Sequence, residues 1–158
     1  MKIALSADHA GYPIKQHLVV FLQEQGHEVL DLGTSSADVR ADYPVVAQAV
    51  ADAVLDGRAE RGILICGSGV GACIAVNKVT GIYAAICHDT YSAHQGVEHD
   101  FMNVLCLGAR VVGPAVAEEL ATAFIHAQPS PIDRYAKRFE MVQAMEKRAA
   151  GAPADSDS

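Results

Sequence analysis

Two short segments and a few scattered cations hold the side chains from which a catalytic site could be built. Asp8-His9-Ala10-Gly11 sets a carboxylate beside an imidazole, and Cys66-Gly67-Ser68-Gly69-Val70-Gly71 sets a thiol and a hydroxyl in a glycine-rich turn. A thiol between a strand and a helix start suits a nucleophile or a proton-abstracting base, although a buried thiol also serves as a small hydrophobe. Backbone N–H groups from Gly67 to Gly71, Val70 included, could cradle an oxyanion or phosphate, with Ser68 as a further donor. The loop matches neither G-x-x-x-x-G-K-[ST] nor the dinucleotide fingerprint, and taken alone it could be an ordinary tight turn. His99 is a candidate general acid or base for a substrate oxygen.

Arg134 and Arg138 are four residues apart, hence on one helical face, and both fall at a helix start. Cations there oppose the helix dipole and each other, objections that a bound phosphate removes. A solvated basic face with Glu140 as partner is the competing reading. Arg110, just after a strand, is a third candidate anion contact. His88, Asp89, His94 and His99 match no strong ligand spacing, so no metal is expected. His17, His27 and His126 receive no role, and Cys73, Cys87 and Cys106 are assigned to packing.

The elements that must position these groups alternate between short apolar runs and amphipathic ones. Strands are expected at Ile3–Ala7, His27–Leu32, Gly62–Cys66, Gly81–Cys87 and Asn103–Leu107. Helices are expected from Gly11-Tyr12-Pro13, after a cap at Asp42, after the glycine turn to about Lys78, from about Thr90, over Pro114–Ala127, and from a cap at Asp133 towards Ala149. This alternation predicts a single three-layer α/β/α domain over residues 1–150 with a mainly parallel, five-stranded, Rossmann-like sheet. If strands 2 and 3 flank strand 1, the ligand crevice lies beyond the ends of strands 1 and 3, where Asp8 and Cys66 fall. The small, acidic segment 151–158 is expected to be a disordered tail.

The chain has 158 residues, of which 51% are hydrophobic and 20% charged, enough for one sizeable core. A net charge of −7 disfavours a nucleic-acid partner. No apolar run reaches the roughly 20 residues needed to cross a bilayer, and the N-terminus lacks signal-peptide character, so no membrane partner and a cytoplasmic location are expected. The four cysteines form no C-x-x-C pair and are expected to be free thiols.

Together these motifs resemble the type B ribose-5-phosphate isomerases, within the wider ribose/galactose sugar-phosphate isomerase family, over roughly residues 1–148. The runs that carry the resemblance are Asp8–Gly11, Asp42-Tyr43-Pro44, Gly62–Gly71, Ala75–Lys78, His99, Asn103–Leu105, Gly108–Gly113, and Arg134 with Arg138. The resemblance implies interconversion of ribose 5-phosphate and ribulose 5-phosphate without a cofactor or metal. Cys66 would move the proton between C2 and C1 through a cis-enediolate, and His99 would assist furanose opening. Ser68 and the Gly67–Gly71 backbone would hold the enediolate oxygen, while Asp8, His9, Arg110, Arg134 and Arg138 would bind the sugar phosphate. It further implies a homodimer with sites at the subunit interface, or a dimer of dimers. One branch of the family places a glutamate base just after the glycine loop; here that position is Ala72, so the thiol branch applies.

The chain departs from the family's common His-Asn-Asp at His99-Asp100-Phe101. An acidic Asp100 cannot donate as an amide does and repels a nearby anion. Allose 6-phosphate or a four-carbon sugar phosphate are therefore alternative substrates. A non-catalytic phosphate-ligand module and a cysteine hydrolase are the readings from other classes.

Overall fold

The computed structural model describes residues 1–151, so the expected tail beyond Gly151 lies outside the described residues. The elements run β1 (Lys2–Ala7), α1 (Tyr12–Glu24), β2 (Glu28–Gly33), α2 (Tyr43–Leu55), β3 (Arg61–Cys66), α3 (Val70–Val76), β4 (Ala84–Ile86), α4 (Thr90–Asp100), β5 (Val104–Gly108), α5 (Pro114–His126) and α6 (Asp133–Ala149). Among the described residues the sheet has the order β2-β1-β3-β5-β4, and every pairing is parallel. Strand order reverses between β1 and β3, as the crevice argument requires.

Side chains of a strand alternate between the two faces of its sheet, and the core divides accordingly. Ile63, Ile65, Leu105 and Leu107 join Leu18, Leu22, Val97, Leu120 and Phe124 beneath α1, α4 and α5. Leu64, Cys66, Val104 and Cys106 join Val46, Val50, Ala72 and Val76 beneath α2 and α3. The thiol of Cys66 therefore faces the α2/α3 layer. Helix α6 packs against α4 and buries only Tyr135.

Three local expectations are corrected. Asp42 precedes α2, but its side chain makes no capping bond; its backbone carbonyl accepts from Val45 and Val46 instead. Asp133 is the first residue of α6 rather than its cap, and it pairs with Lys137 at 2.6 Å. Strand β4 is three residues long, because asparagine side chains replace its ladder at the start. Asn103 accepts from the Tyr83 N–H and donates to the Gly81 carbonyl, both at 2.8 Å. Asn77 accepts from the Ala84 N–H at 2.9 Å and donates to the Ala84 carbonyl at 2.8 Å, satisfying the free edge of β4.

Two buried cations lock the frame. Lys15, 2% exposed, donates to the carbonyls of Leu32 and Thr34 and sits 2.6 Å from Asp31. It pins α1 to the end of β2. Arg61 donates to the carbonyls of Phe124 and Ala127, closing the end of α5 onto β3. The buried Lys15 charge is tolerated because its three donors meet three oxygens, those of Leu32, Thr34 and Asp31.

Candidate active site

Cys66 ends β3, and the chain turns sharply beyond it. Gly69 has φ +83°, a left-handed conformation that bulky residues avoid, and it starts α3. The turn directs the Gly69 N–H at Cys66 Sγ, 3.1 Å away, and the Ser68 hydroxyl accepts from the Val70 N–H at 3.2 Å. That N–H donor fixes the position of the sulfur at the end of β3. The loop is seated on the end of β5: the Ala109 N–H donates to the Cys66 carbonyl and the Arg110 N–H to the Gly67 carbonyl, both at 2.9 Å.

Asp8 arrives from the end of β1 and is fixed by the Gly11 N–H, 2.9 Å from its Oδ1. His9 takes the Ala41 N–H on Nδ1 at 3.5 Å, which ties it to the segment before α2. A cleft of about 380 Å³ opens here, lined by Asp8, His9, Cys66, Gly67, Ser68, Gly71 and Arg110 among others. Five element ends converge on one small space that holds a thiol, a carboxylate, an imidazole, a hydroxyl and a guanidinium.

The remaining expected residues lie elsewhere in the chain. His99 is in the last turn of α4, just before β5 begins, whereas Cys66 pairs with Gly108 at the far end of β5. Four strand steps, about 13 Å, separate those ends. His99 and Arg138 line a second cavity of about 470 Å³, with Gln95, Asp100, Met102, Phe139 and Val142; it shares no lining residue with the first. Arg134 donates to the Tyr135 hydroxyl at 2.8 Å, and Tyr135 stacks on His99. Gly69 and Val70 do not line the Cys66 cleft; Val70 is 49% exposed on the outer side of α3.

Several contributors escaped sequence reasoning. Tyr43 lines the Cys66 cleft with its ring against Gly71, where a Cβ would meet the ring at 3.1 Å. It lies within the Asp42-Tyr43-Pro44 run, which signalled family but no role. Tyr135 carried no signal beyond its place between two candidates. Cys73, assigned to packing, donates to the Ala84 carbonyl at 3.7 Å, and the neighbouring Cys106 thiol outweighs burial and brings its thiol down to about 7. The Cys106 thiol is pushed well above its ordinary value by Cys73 and by burial, and burial pushes Cys87 up to about 11. All four cysteines are free thiols. Among the described residues no cluster of three or more His, Cys, Asp or Glu is arranged to hold a metal, and no helix is long and apolar enough to cross a membrane.

The class is thus a doubly wound parallel α/β protein whose switch-point cleft combines a strand-end thiol with a carboxylate, an imidazole and a guanidinium. The family model for Ribose/Galactose Isomerase matches residues 3–142. Ribose-5-phosphate isomerase B of Escherichia coli K12 is 45% identical over 93% of this chain and 97% of its own length. D-erythrulose-4-phosphate isomerase of Pectobacterium atrosepticum is 43% identical over 81% of this chain and 84% of its own. The solved ribose-5-phosphate isomerase B of Clostridium thermocellum superposes with a TM-score of 0.90 at 41% identity, over 94% of this chain and 99% of that one. The chain belongs to the ribose/galactose isomerase family and is a sugar-phosphate isomerase.

Proposed function

We propose that the protein interconverts ribose 5-phosphate and ribulose 5-phosphate, with Cys66 as the base. The observation that carries this reading is Cys66 Sγ at the switch-point cleft, held by the Gly69 N–H beside Asp8, His9, Ser68 and Arg110. Cys66, as thiolate, takes the proton from C2 of the open aldose; the C–H pair becomes the C1=C2 bond, and the carbonyl pair moves to O1. Return of that proton to C1, with the O2 proton passing to O1 as the C2=O2 bond forms, gives the ketose. Ser68 and the loop amides stabilise the enediolate oxygen, the kind of contribution that dominates such chemistry. Arg110 meets the substrate's anionic end, and Asp8 and His9 orient it.

Ribose 5-phosphate is chiefly a furanose and must open first. His99 serves this step by giving a proton to the ring oxygen as the C1–O4 bond breaks and the O1 proton leaves. Because His99 and Arg138 line a cavity separate from that of Cys66, the complete site uses two copies: Cys66 and Arg110 from one, His99, Arg134 and Arg138 from the other. Exposed Val70, Ile74, Tyr91, Met141, Val142 and Met145 supply apolar surface for a homodimer in the cytoplasm.

A four-carbon ketose phosphate is the second reading, favoured by Asp100 in the His99 cavity and by the name of the Pectobacterium relative. Ribose 5-phosphate, allose 6-phosphate and erythrulose 4-phosphate should be assayed in parallel with wild type and Asp100→Asn. The proposal expects pentose turnover to exceed the others by at least about tenfold in kcat/KM. Preferred turnover of erythrulose 4-phosphate, shifted towards the pentose by Asp100→Asn, would replace it with the second reading.

A further inference from the structure

We infer that Tyr135 is a positioning residue that joins the His99 imidazole and the Arg134 guanidinium into one unit. The inference rests on the roles proposed above for His99 and Arg134. Tyr135 is the one residue that α6 buries, 6% exposed, and its ring lies on that of His99 with centroids 3.9 Å apart and planes 8° from parallel. So close a stack fixes the imidazole plane. Gln95 fixes the remaining rotation from the helix side: its Nε2 lies 2.8 Å from His99 Nδ1. With the amide donating there, the imidazole proton sits on Nε2, the nitrogen left to face a sugar oxygen.

The contact with Arg134 is equally specific. Neighbours in a helix point about 100° apart and do not face one another, so Arg134 must fold back to reach Tyr135. It does so twice over, donating from Nη2 to the Tyr135 hydroxyl at 2.8 Å and lying with Cζ 4.8 Å from the ring centroid. The segment before α6 is anchored to the same helix as His99, since the Ser130 N–H donates to the Glu98 carbonyl at 2.8 Å. Phosphate captured by Arg134 is thereby held in fixed relation to the group that opens the ring. Tyr135 touches neither reacting atom; it sets where both partners stand.

Sugar chemistry separates this role from a merely structural one. Ribose 5-phosphate closes through O4, but ribulose 5-phosphate would need O5, which carries the phosphate, so the ketose stays open. Loss of ring opening leaves the furanose bound without reacting, which lowers kcat from the aldose and spares kcat from the ketose. The test measures kcat and KM in both directions for wild type, Tyr135→Leu, Tyr135→Phe and His99→Asn, with thermal midpoints alongside. Tyr135→Leu should lower kcat from ribose 5-phosphate by about 10–100-fold and change kcat from ribulose 5-phosphate by less than about twofold. Tyr135→Phe keeps the stack and loses the hydroxyl, so it should restore the directional ratio while KM rises about threefold or more in both directions.

Equal losses in both directions would make Tyr135 structural and overturn the inference. An unchanged ratio in Tyr135→Leu, with the ratio shifted in His99→Asn, would overturn it while sparing the role of His99. An unshifted ratio in His99→Asn would remove that role and this inference with it. Should Tyr135→Leu fail to fold, wild-type KM values in Tyr135→Phe would still reject the link to Arg134.

Discussion

Cys66 and Cys73 are two thiols on the same side of the sheet with different surroundings. Cys66 is 5% exposed at the strand end and takes the Gly69 N–H; Cys73 is half-buried on α3 beside Asn77 and Cys106. Replacing Cys66 by Ala should lower isomerisation by about 10²–10⁴-fold, the range of a lost general base, while binding of the sugar phosphate persists in a titration. For Cys73 the expected outcome is a pH profile. Its thiol is lowered to about 7 by Cys106, and the thiolate is the nucleophile, so alkylation mapped to Cys73 by mass spectrometry should rise to half-maximum near pH 7. Cys106→Ala should move that midpoint upward, and a wild-type midpoint near 9 would contradict the assignment. The Cys66 cleft was legible because its signals are local: an apolar strand, a glycine turn, a thiol at their junction. Cys73 was not, because the thiol that lowers it, Cys106, comes from β5 across a sequence separation that no local pattern reports.

The elements matter through their ends. Gly108 ends β5 against the glycine loop, and a Cβ there would lie 2.5 Å from the Ser68 carbonyl oxygen. Gly108→Ala should therefore displace the loop and lower turnover by at least about tenfold, with the folded state retained by circular dichroism; full activity would show that the loop has room to give. At the sheet edge, Asn103→Ala removes both bonds to the turn before β4. We expect a loss of roughly 1–3 kcal/mol, read as a lower urea midpoint at unchanged m, and an unaltered midpoint would count against the clamp. The β-α alternation made the order of elements readable, and the strand pairing follows the rule for doubly wound sheets. The length of β4 was not readable, since Gly81–Cys87 is apolar enough for a longer strand and only the side chains of Asn77 and of Asn103, about twenty residues on, show where the ladder is replaced. Phe101, at φ +56°, is likewise held by a tertiary contact, its ring stacked on Phe139 at 4.6 Å.

On the scale of the molecule, Asp8, His9, Cys66, Ser68 and Arg110 line one cavity and His99 and Arg138 another, a division that motif order along the chain does not reveal. If two copies complete each site, Cys66→Ala protein and His99→Asn protein, the second lacking only ring opening, should complement one another in turnover of ribose 5-phosphate. After random exchange half the dimers are mixed, and each mixed dimer holds one intact site of two, so about a quarter of the wild-type ring-opening activity should return. No recovery after verified exchange would favour a site built within one chain. The central claim is that Cys66 moves a proton within an aldose phosphate and no metal takes part. Its most direct measurement is turnover of ribose 5-phosphate and ribulose 5-phosphate in both directions, with a chelator present, for wild type and Cys66→Ala together. The account predicts full wild-type turnover under chelation and near-abolition in the variant with substrate binding preserved; near-normal turnover by Cys66→Ala, or loss of wild-type activity to the chelator, would contradict it.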